Sequence, residues 1–336
     1  MHQPLAVSAI DYHTAGEPFR IVSGGVPPLK GTTVLERRRD AAARLDHVRQ
    51  LLISEPRGHA DMYGCFVTEP DDESGDLGVV FFHNAGYSTA CGHGTIALVT
   101  WALDSGVVPV TGPETPVVVD APSGRLRAIA TVEGGRVRSV RFANVPSFVE
   151  AAGVEVTLPA GAVRVDLAFG GAFYAVLDAS AVGCAVVPDD LPALIAHGRA
   201  IKAAVESTRE VVHPEIPDVR DVYGVIFVDG TRAEDGGLHQ RNVAIFADGE
   251  VDRSPTGSGV SARLALLDAS GVLRRGATLV TSGMAGPAFL GRVTGDADVA
   301  GRPGVATEVE GTAFRTGHHE FVLDPDDPLG TGFLLR

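Results

Sequence analysis

The segment C91-G-H-G-T-I-A-L-V-T-W-A-L-D-S-G-V-V108 has a counterpart 165 positions later, T256-G-S-G-V-S-A-R-L-A-L-L-D-A-S-G-V-L273. Six of the 18 aligned positions are identical: Gly92/Gly257, Gly94/Gly259, Ala97/Ala262, Ser105/Ser270, Gly106/Gly271 and Val107/Val272. The same offset places the strand-like run Val79–Phe82 on the run that ends at Phe246. Because helix start, helix length and the closing Ser-Gly-Val agree at one offset, the sequence predicts two homologous halves.

The glycine pair at each helix start predicts an anion-binding site. Glycine has no Cβ, so backbone N–H groups can converge there, and the helix dipole adds positive potential. Two such helix starts, facing each other across a cleft between pseudo-symmetric halves, would hold one small carboxylate from both sides. The residue before each first glycine, Cys91 or Thr256, would then lie at a helix N-terminus.

These two residues differ in their acid–base chemistry. A helix N-terminus is expected to lower the pKa of the Cys91 thiol and so give a thiolate that can act as a base. A lone cysteine is more often a small buried apolar residue, but the polar frame S88-T-A-C-G-H-G94 disfavours that role. The hydroxyl of Thr256 cannot act as such a base at neutral pH. We therefore expect a strong base in one half only.

Two further polar residues frame the expected cleft. His93 lies between two glycines, and Asp252 precedes Thr256 by four residues in D-R-S-P-T-G. An imidazole and a carboxylate could together hold an ammonium group or a ring nitrogen. An aspartate before Ser-Pro more commonly caps a turn, so this simpler role stays open for Asp252.

Both segments also satisfy the pattern G-x-G-x-x-A, which allows a nicotinamide-dependent oxidoreductase as an alternative. In a dinucleotide-binding fold the glycines follow the strand directly, whereas a loop intervenes in this sequence. The acidic residue expected about 20 positions later is also missing.

Composition excludes other classes of function. The 28 basic and 42 acidic residues give a net charge of −14, which is the wrong sign for binding nucleic acid. Neither lysine, Lys30 or Lys202, lies in a phosphate-binding loop, which disfavours a pyridoxal phosphate enzyme. The three cysteines form no C-x-x-C pair, which fits a reducing cytoplasm best. The neighbours of Cys65 and Cys184, Gly64 and Phe66 in one case and Val-Gly-Cys-Ala-Val in the other, predict core thiols. No window of 18 apolar residues predicts a membrane span.

Short β-branched runs bounded by Gly, Pro or Asp predict a chain rich in strands. These runs are Val79–Phe82, Val117–Val119, Leu126–Val132, Val137–Phe142, Val163–Ala168, Val222–Val228, Val243–Phe246, Thr278–Thr281 and Glu320–Leu323. Apolar periodicity predicts helices over Glu36–Ser54, Gly94–Ser105, Leu191–Thr208 and Gly259–Ser270. The arginines of the first helix are interpreted as a solvated face. The run Phe169–Tyr174 is interpreted as a strand with close backbone approach that could contribute to the substrate pocket, and an ordinary bulge is the alternative.

Five motifs resemble those of the proline racemase family in the same order. They are D11-Y-H-T-A-G-E-P-F-R20, E55-P-R-G-H-A-D-M-Y-G64, T89-A-C-G-H-G-T-I96, F246-A-D-G-E-V-D-R-S-P-T-G257 and D324-P-D-D-P-L-G-T-G-F333. The resemblance implies an α/β (α+β) fold of the diaminopimelate-epimerase type. Each of two pseudo-symmetric halves would be a curved mixed β-sheet wrapped around a central helix, with the active site in the cleft between them. Residues 1–148 with 314–336 would form the half that carries Cys91, and residues 149–313 the half that carries Thr256.

The resemblance also implies a chemistry. Racemases of the family use two cysteines, one of which removes the α-proton of a proline-like substrate while the other returns a proton from the opposite face. Thr256 stands where the second cysteine is expected, which is typical of a branch that dehydrates trans-3-hydroxy-L-proline. Proline racemase or 4-hydroxyproline 2-epimerase activity is the alternative. Gly92, His93, Asp252, Gly257 and Ser258 would bind the substrate.

The resemblance implies neither a metal nor an organic cofactor. The expected partner is a small imino acid, with a homodimer as the possible assembly. A non-catalytic imino-acid-binding protein is a further alternative, which a Cys91 thiol of ordinary reactivity would favour.

Elementary chemistry is consistent with a dehydratase. Removal of a proton next to a carboxylate leaves a carbanion that hydrogen-bond donors must stabilise. Without an acid on the opposite face, this carbanion can expel a leaving group from the β-carbon. Loss of a 3-hydroxyl gives Δ2-pyrroline-2-carboxylate, which tautomerises to Δ1-pyrroline-2-carboxylate. Thr256, His93 and a water held by Thr256 are all candidates for the proton donor to the departing hydroxide.

Overall fold

The computed structural model describes residues 5–159 and 161–335. These residues form eighteen β-strands and five α-helices, numbered in chain order. The strands are β1 Leu5–Thr14, β2 Glu17–Gly24, β3 Tyr63–Thr68, β4 Leu77–His83, β5 Gly86–Tyr87, β6 Glu114–Ala121, β7 Gly124–Glu133, β8 Arg136–Ala143, β9 Ser147–Leu158, β10 Gly161–Phe169, β11 Phe173–Asp178, β12 Val222–Glu234, β13 Gly237–Phe246, β14 Glu250–Asp252, β15 Leu279–Ser282, β16 Ala288–Val299, β17 Arg302–Gly311 and β18 Ala313–Leu323. The helices are α1 Val34–Arg44, α2 Asp46–Ile53, α3 Gly92–Asp104, α4 Leu191–Thr208 and α5 Gly257–Ala269.

The chain divides into two compact units. Unit 1 comprises Met1–Val140 and Thr312–Arg336, and unit 2 comprises Arg141–Gly311. In unit 1 the strands pair in the order β18-β1-β2-β3-β4-β6-β7. The pairs β2–β3 and β4–β6 are parallel and the other pairs are antiparallel, so the sheet is mixed.

Unit 2 repeats this topology. Its strands pair in the order β9-β10-β11-β12-β13-β15-β16-β17, with β11–β12 and β13–β15 parallel. Strand β17 pairs back with β9 through Gly304–Phe148 and Val305–Ser147. In each unit a short hairpin precedes the helix that connects the second parallel pair: β4–β5 precedes α3, and β13–β14 precedes α5. The mixed α/β fold expected from the sequence is confirmed.

Each sheet curves around one helix. The first twelve residues of α3, Gly92 to Leu103, are all buried, as are ten of the thirteen residues of α5. Helix α3 contacts β1, β2, β3, β7 and β18, whereas α5 contacts β9, β10, β11, β16 and β17. A helix that is buried on every side lies at the centre of a core.

The predicted strands and central helices agree with the structure. Each predicted strand run overlaps an observed strand, and α3 and α5 begin two residues earlier than predicted. Among the described residues, no helix is both long enough and apolar enough to cross a membrane.

The prediction of one helix over Glu36–Ser54 is wrong, because the segment forms two helices. Leu45 leaves the helical conformation between α1 and α2, with φ −116° and ψ 12°. The break allows both helices to pack on one core, since Ala41 of α1 and Leu52 of α2 belong to the same buried cluster as Phe82 of β4.

The interpretation of the arginines in this segment as a solvated face is also wrong for Arg37 and Arg49, which are 8% and 6% exposed. The guanidinium of Arg37 donates to the carbonyl oxygens of Gly31 and Glu69. The guanidinium of Arg49 donates to the carbonyl oxygen of His83 at 2.8 Å. Backbone acceptors from other elements therefore compensate the burial of these charges.

Gly170 gives a test of the packing in unit 2. A Cβ at this position would lie 2.2 Å from the carbonyl oxygen of Ser258 and 2.5 Å from the nitrogen of Ala262, both in α5. We expect Gly170→Ala to lower the free energy of unfolding by about 1–3 kcal/mol, because backbone has to move. Gly295→Ala is the control, since a Cβ there meets nothing within 4 Å. Equal urea midpoints for the two variants would contradict the close approach.

Candidate active site

The N-terminus of α3 is capped by a thiol. Cys91 has an extended backbone, with φ −153° and ψ 104°, and its Sγ accepts a hydrogen bond from the Gly94 N–H at 3.2 Å. The Thr95 hydroxyl donates to the Cys91 carbonyl oxygen at 2.8 Å. The sulfur therefore lies at the positive end of the helix dipole, next to an N–H that favours its charged form.

The imidazole of His93 lies beside this sulfur. Its Nε2 is 3.3 Å from Sγ of Cys91, and its Nδ1 is 3.7 Å away. The rings of Phe19 and Tyr63 pack edge-to-face against the imidazole, at centroid distances of 5.8 and 5.0 Å. The Thr14 hydroxyl donates to the His93 carbonyl oxygen at 3.0 Å. Backbone and ring are thus both held in place.

Gly94 allows this close packing. A Cβ on Gly94 would lie 2.4 Å from Cε2 of Phe19 and 2.7 Å from Sγ of Cys91. A side chain here would push apart the thiol and the ring that supports His93. Gly92 is the first residue of α3 and is also buried.

The other two thiols have different surroundings. Burial raises the pKa of Cys65 well above its ordinary value. Burial, followed by the nearby Asp190 carboxylate, raises the pKa of Cys184. Cys184 is only half-buried, which corrects its assignment as a core thiol, because it lies in a short loop after a 3-10 turn. Cys91 is distinguished from both by its N–H donor and its neighbouring imidazole.

In unit 2 the equivalent position of α5 is built around a hydroxyl. Thr256 Oγ1 donates to Oδ2 of Asp252 at 2.8 Å, and both residues are buried. The other oxygen of Asp252, Oδ1, accepts from the Ser254 N–H at 2.8 Å. One carboxylate oxygen thus fulfils the turn-capping role that the sequence left open, while the other orients Thr256.

Thr256 has an unusual backbone conformation, with φ 62° and ψ 91°. A β-branched residue at positive φ is strained by about 1–3 kcal/mol. The Thr256 N–H donates to Oγ of Ser254 at 3.1 Å, and the Asn242 amide donates to the Pro255 carbonyl oxygen at 2.9 Å. Buried hydrogen bonds therefore hold the strained residue at the start of α5.

The next residues of α5 bring in a side chain that was not singled out from the sequence. Gly257 and Ser258 open the helix, and Ser258 Oγ shares a buried hydrogen bond of 2.7 Å with the hydroxyl of Tyr174. Tyr174 closes the run Phe169–Tyr174. The interpretation of this run as one strand is wrong, because β10 ends at Phe169 and β11 begins at Phe173, but Gly170 does closely approach α5 as expected. The position of Tyr174 at the end of this glycine-rich run was the signal in the sequence that could have identified it as a site residue.

The structure gathers the seven predicted site residues into two groups. Unit 1 holds Cys91, Gly92 and His93 at the start of α3, and unit 2 holds Asp252, Thr256, Gly257 and Ser258 at the start of α5. Each group combines helix N–H groups with side chains that can donate or accept protons.

The first two motifs share a buried arginine. Arg20 donates to both carboxylate oxygens of Asp11, at 2.9 and 2.8 Å, and to the Arg57 carbonyl oxygen at 2.8 Å. Its guanidinium also lies over the ring of Phe321, 4.1 Å from the ring centre. These motif residues therefore join β1, β2 and β18 to the loop after α2.

Across residues 5–159 and 161–335, no group of three His, Cys, Asp or Glu side chains is arranged to hold a metal ion.

Replacing Thr256 tests its hydrogen bond to Asp252. Thr256→Val keeps the shape and the β-branch but removes the donor to a buried carboxylate, so we expect a loss of about 1–3 kcal/mol in the free energy of unfolding. Thr256→Ser keeps the hydroxyl and is expected to stay near the wild type. Urea denaturation measures both variants, and a valine variant as stable as the serine variant would contradict the expectation.

Comparison with known proteins relates the chain to one family. The sequence profile of the proline racemase family matches residues 9–334. A Bacillus cereus protein named trans-3-hydroxy-L-proline dehydratase is 47% identical over 328 residues, which cover 98% of each chain. A Burkholderia multivorans protein named 3-hydroxyproline 2-epimerase is 45% identical over 332 residues, with 98% of each chain covered. The crystal structure of a hydroxyproline epimerase from Agrobacterium vitis, with bound trans-4-hydroxy-L-proline, has a TM-score of 0.91 at 32% identity and covers 100% of this chain and 97% of its own.

Proposed function

The chain belongs to the proline racemase family, and we propose that it dehydrates trans-3-hydroxy-L-proline. We further propose that units 1 and 2 are the two homologous halves expected from the sequence repeat. Family membership favours this function over the nicotinamide-dependent oxidoreductase that the doubled G-x-G-x-x-A also allowed.

The observation that carries the proposal is the different residue at each helix start. Cys91 combines a thiol with an N–H donor and an imidazole, whereas Thr256 has a hydroxyl that donates to Asp252. Racemisation needs one group to remove a proton and a second to return it from the opposite face. A hydroxyl is a poor replacement for a thiol in that second role, while elimination needs one base only.

In the proposed reaction the Cys91 thiolate removes the α-proton, and the 3-hydroxyl departs as water. The product is Δ2-pyrroline-2-carboxylate, which tautomerises to Δ1-pyrroline-2-carboxylate. Among the described residues, the Thr256 side chain accepts no hydrogen bond from the first N–H groups of α5. The N–H groups of Gly257 and Ser258 are therefore suited to binding the substrate carboxylate. We assign Gly92, His93 and Asp252 to substrate binding as well, with Asp252 as the partner of the cationic ring nitrogen.

A second candidate function comes from one relative. The Burkholderia multivorans protein named 3-hydroxyproline 2-epimerase is nearly as similar to this chain as the Bacillus cereus dehydratase. The same α-carbanion would lead to inversion if a proton returned from the opposite face before the hydroxyl departed. A panel of L-proline, trans-4-hydroxy-L-proline and trans-3-hydroxy-L-proline, assayed for inversion and dehydration together, separates the two functions.

We also propose that the substrate is a free imino acid, that no metal or organic cofactor takes part, and that the protein is a cytoplasmic homodimer. Activity measured after dialysis against a chelator tests whether a metal takes part, and we expect it to be retained. Light scattering on the purified protein tests the homodimer.

The thiol is tested by Cys91→Ser. We expect this variant to lose about 10²–10⁴-fold in the rate of dehydration, because an alcohol is a far weaker base than a thiolate. The pyrroline product is measured by trapping with an aminobenzaldehyde reagent. Cys184→Ser is the matched control and is expected to keep wild-type activity. A Cys91→Ser variant that dehydrates the substrate at the wild-type rate would exclude Cys91 as the base.

The hydroxyl is tested by Thr256→Cys. This variant gains the second cysteine that the family resemblance associates with racemases, so we expect inversion of L-proline, or exchange of its α-proton with solvent deuterium, above the wild-type level. Thr256→Ser is the control and is expected to gain neither. NMR follows the exchange, and a polarimeter follows the inversion. No gain in the cysteine variant would argue against equivalent roles for the two helix starts.

A further inference from the structure

The configuration of the proposed substrate limits where the second proton can come from. In trans-3-hydroxy-L-proline the hydroxyl lies on the opposite face of the ring from the carboxylate, and the α-hydrogen also lies opposite the carboxylate. The α-hydrogen and the departing hydroxyl are therefore on one face. The base and the acid must therefore approach the same face of the ring, which requires the acid to lie beside Cys91.

Thr256 is poorly suited to this role. Its hydroxyl has a single proton, which is donated to Oδ2 of Asp252 at 2.8 Å. The oxygen of Thr256 therefore presents lone pairs to its other neighbours, whereas a departing hydroxide needs a donor. Thr256 also belongs to the helix start that lacks the thiol.

His93 has the required position. Its Nε2 is 3.3 Å from Sγ of Cys91, and the two side chains are 3% and 5% exposed. A proton donor within this distance of the base can reach a hydroxyl on the carbon next to the one that loses its proton. The rings of Phe19 and Tyr63 restrict the imidazole to this orientation.

We infer that His93 is the general acid that protonates the departing 3-hydroxyl, in addition to binding substrate; this inference rests on the proposed function. The pair begins the reaction with one proton, on the imidazole, and with Cys91 as thiolate. Sγ takes the α-proton, the electron pair of that C–H bond forms the ring double bond, and the C–O bond breaks. The imidazolium proton passes to the leaving oxygen and completes a water molecule.

The contact between Cys91 and His93 also restores their starting protonation states. After elimination Cys91 is a neutral thiol and His93 a neutral imidazole. Transfer of one proton from Sγ to Nε2 across 3.3 Å restores the starting state with no proton taken from solvent. Over one turnover the substrate yields its enamine and one water, so atoms and charge balance.

A change of leaving group separates the acid from the base. Fluoride departs without a proton, so trans-3-fluoro-L-proline needs only the Cys91 thiolate. We expect His93→Gln to lower the ratio of dehydration to fluoride elimination by about 10²-fold or more, because general acid catalysis contributes about 10²–10⁴-fold. This ratio cancels any change in the strength of the thiolate. His83→Gln, which alters another buried histidine of unit 1, is expected to leave the ratio unchanged.

An unchanged ratio in His93→Gln would overturn the inference, because His93 would then act only on the thiolate or the Cys91 thiol itself would return the proton. Failure of the wild-type protein to dehydrate trans-3-hydroxy-L-proline would instead overturn the proposed function. The two failures are therefore distinguishable by the wild-type rate.

A second variant keeps the inference testable if His93→Gln does not fold. His93→Asn also removes the proton donor and keeps a polar amide, so we expect it to lower the ratio of dehydration to fluoride elimination as well. An unchanged ratio in a folded His93→Asn variant would overturn the inference.

Discussion

The first N–H groups of a helix have no partner within the helix, so in a helix buried on every side they need a partner from elsewhere. This constraint applies to both α3 and α5, and the two units meet it differently. In α3 the cap is a thiol that accepts from Gly94. In α5 the residue at the cap position turns its hydroxyl to Asp252 instead. The proposed chemistry rests on this difference, because a thiol at a helix N-terminus is suited to act as a base and a helix start without a side-chain cap is suited to bind an anion.

The surroundings of the cap follow from the same constraint. Gly94 must lack a side chain so that Phe19 can support His93 without displacing the sulfur. The strain at Thr256 is tolerated because the carboxylate of Asp252 and the hydroxyl of Ser254 both bond to it. Burial raises the pKa of Cys65 in the core, so a buried cysteine without these partners is made less reactive.

Much of the fold could be predicted from the sequence because the repeat carries local signals. The glycine pairs and apolar content identified α3 and α5, and β-branched runs identified strands in both units. Strand β1, which mixes polar and apolar residues, was missed because its place in the sheet depends on β18, about 300 residues away in the chain. The burial of Arg37 and Arg49 was missed for a similar reason, since their acceptors are carbonyl oxygens of distant segments. In the candidate site, Cys91, His93 and Asp252 could be named, but the partner of Ser258 is Tyr174, 84 residues away.

The path of the chain through the two units has a consequence for biosynthesis. All strands of unit 2 from β9 to β17 are consecutive, whereas β1 of unit 1 pairs with β18, which follows unit 2 in the chain. On the ribosome, unit 2 can therefore complete its sheet before unit 1, even though most of unit 1 is made first. Strand β1 has to wait for β18 before the sheet around the thiol-bearing helix is whole. Premature termination shortly before β18 would leave the strands of unit 2 intact and leave β1 paired with β2 alone.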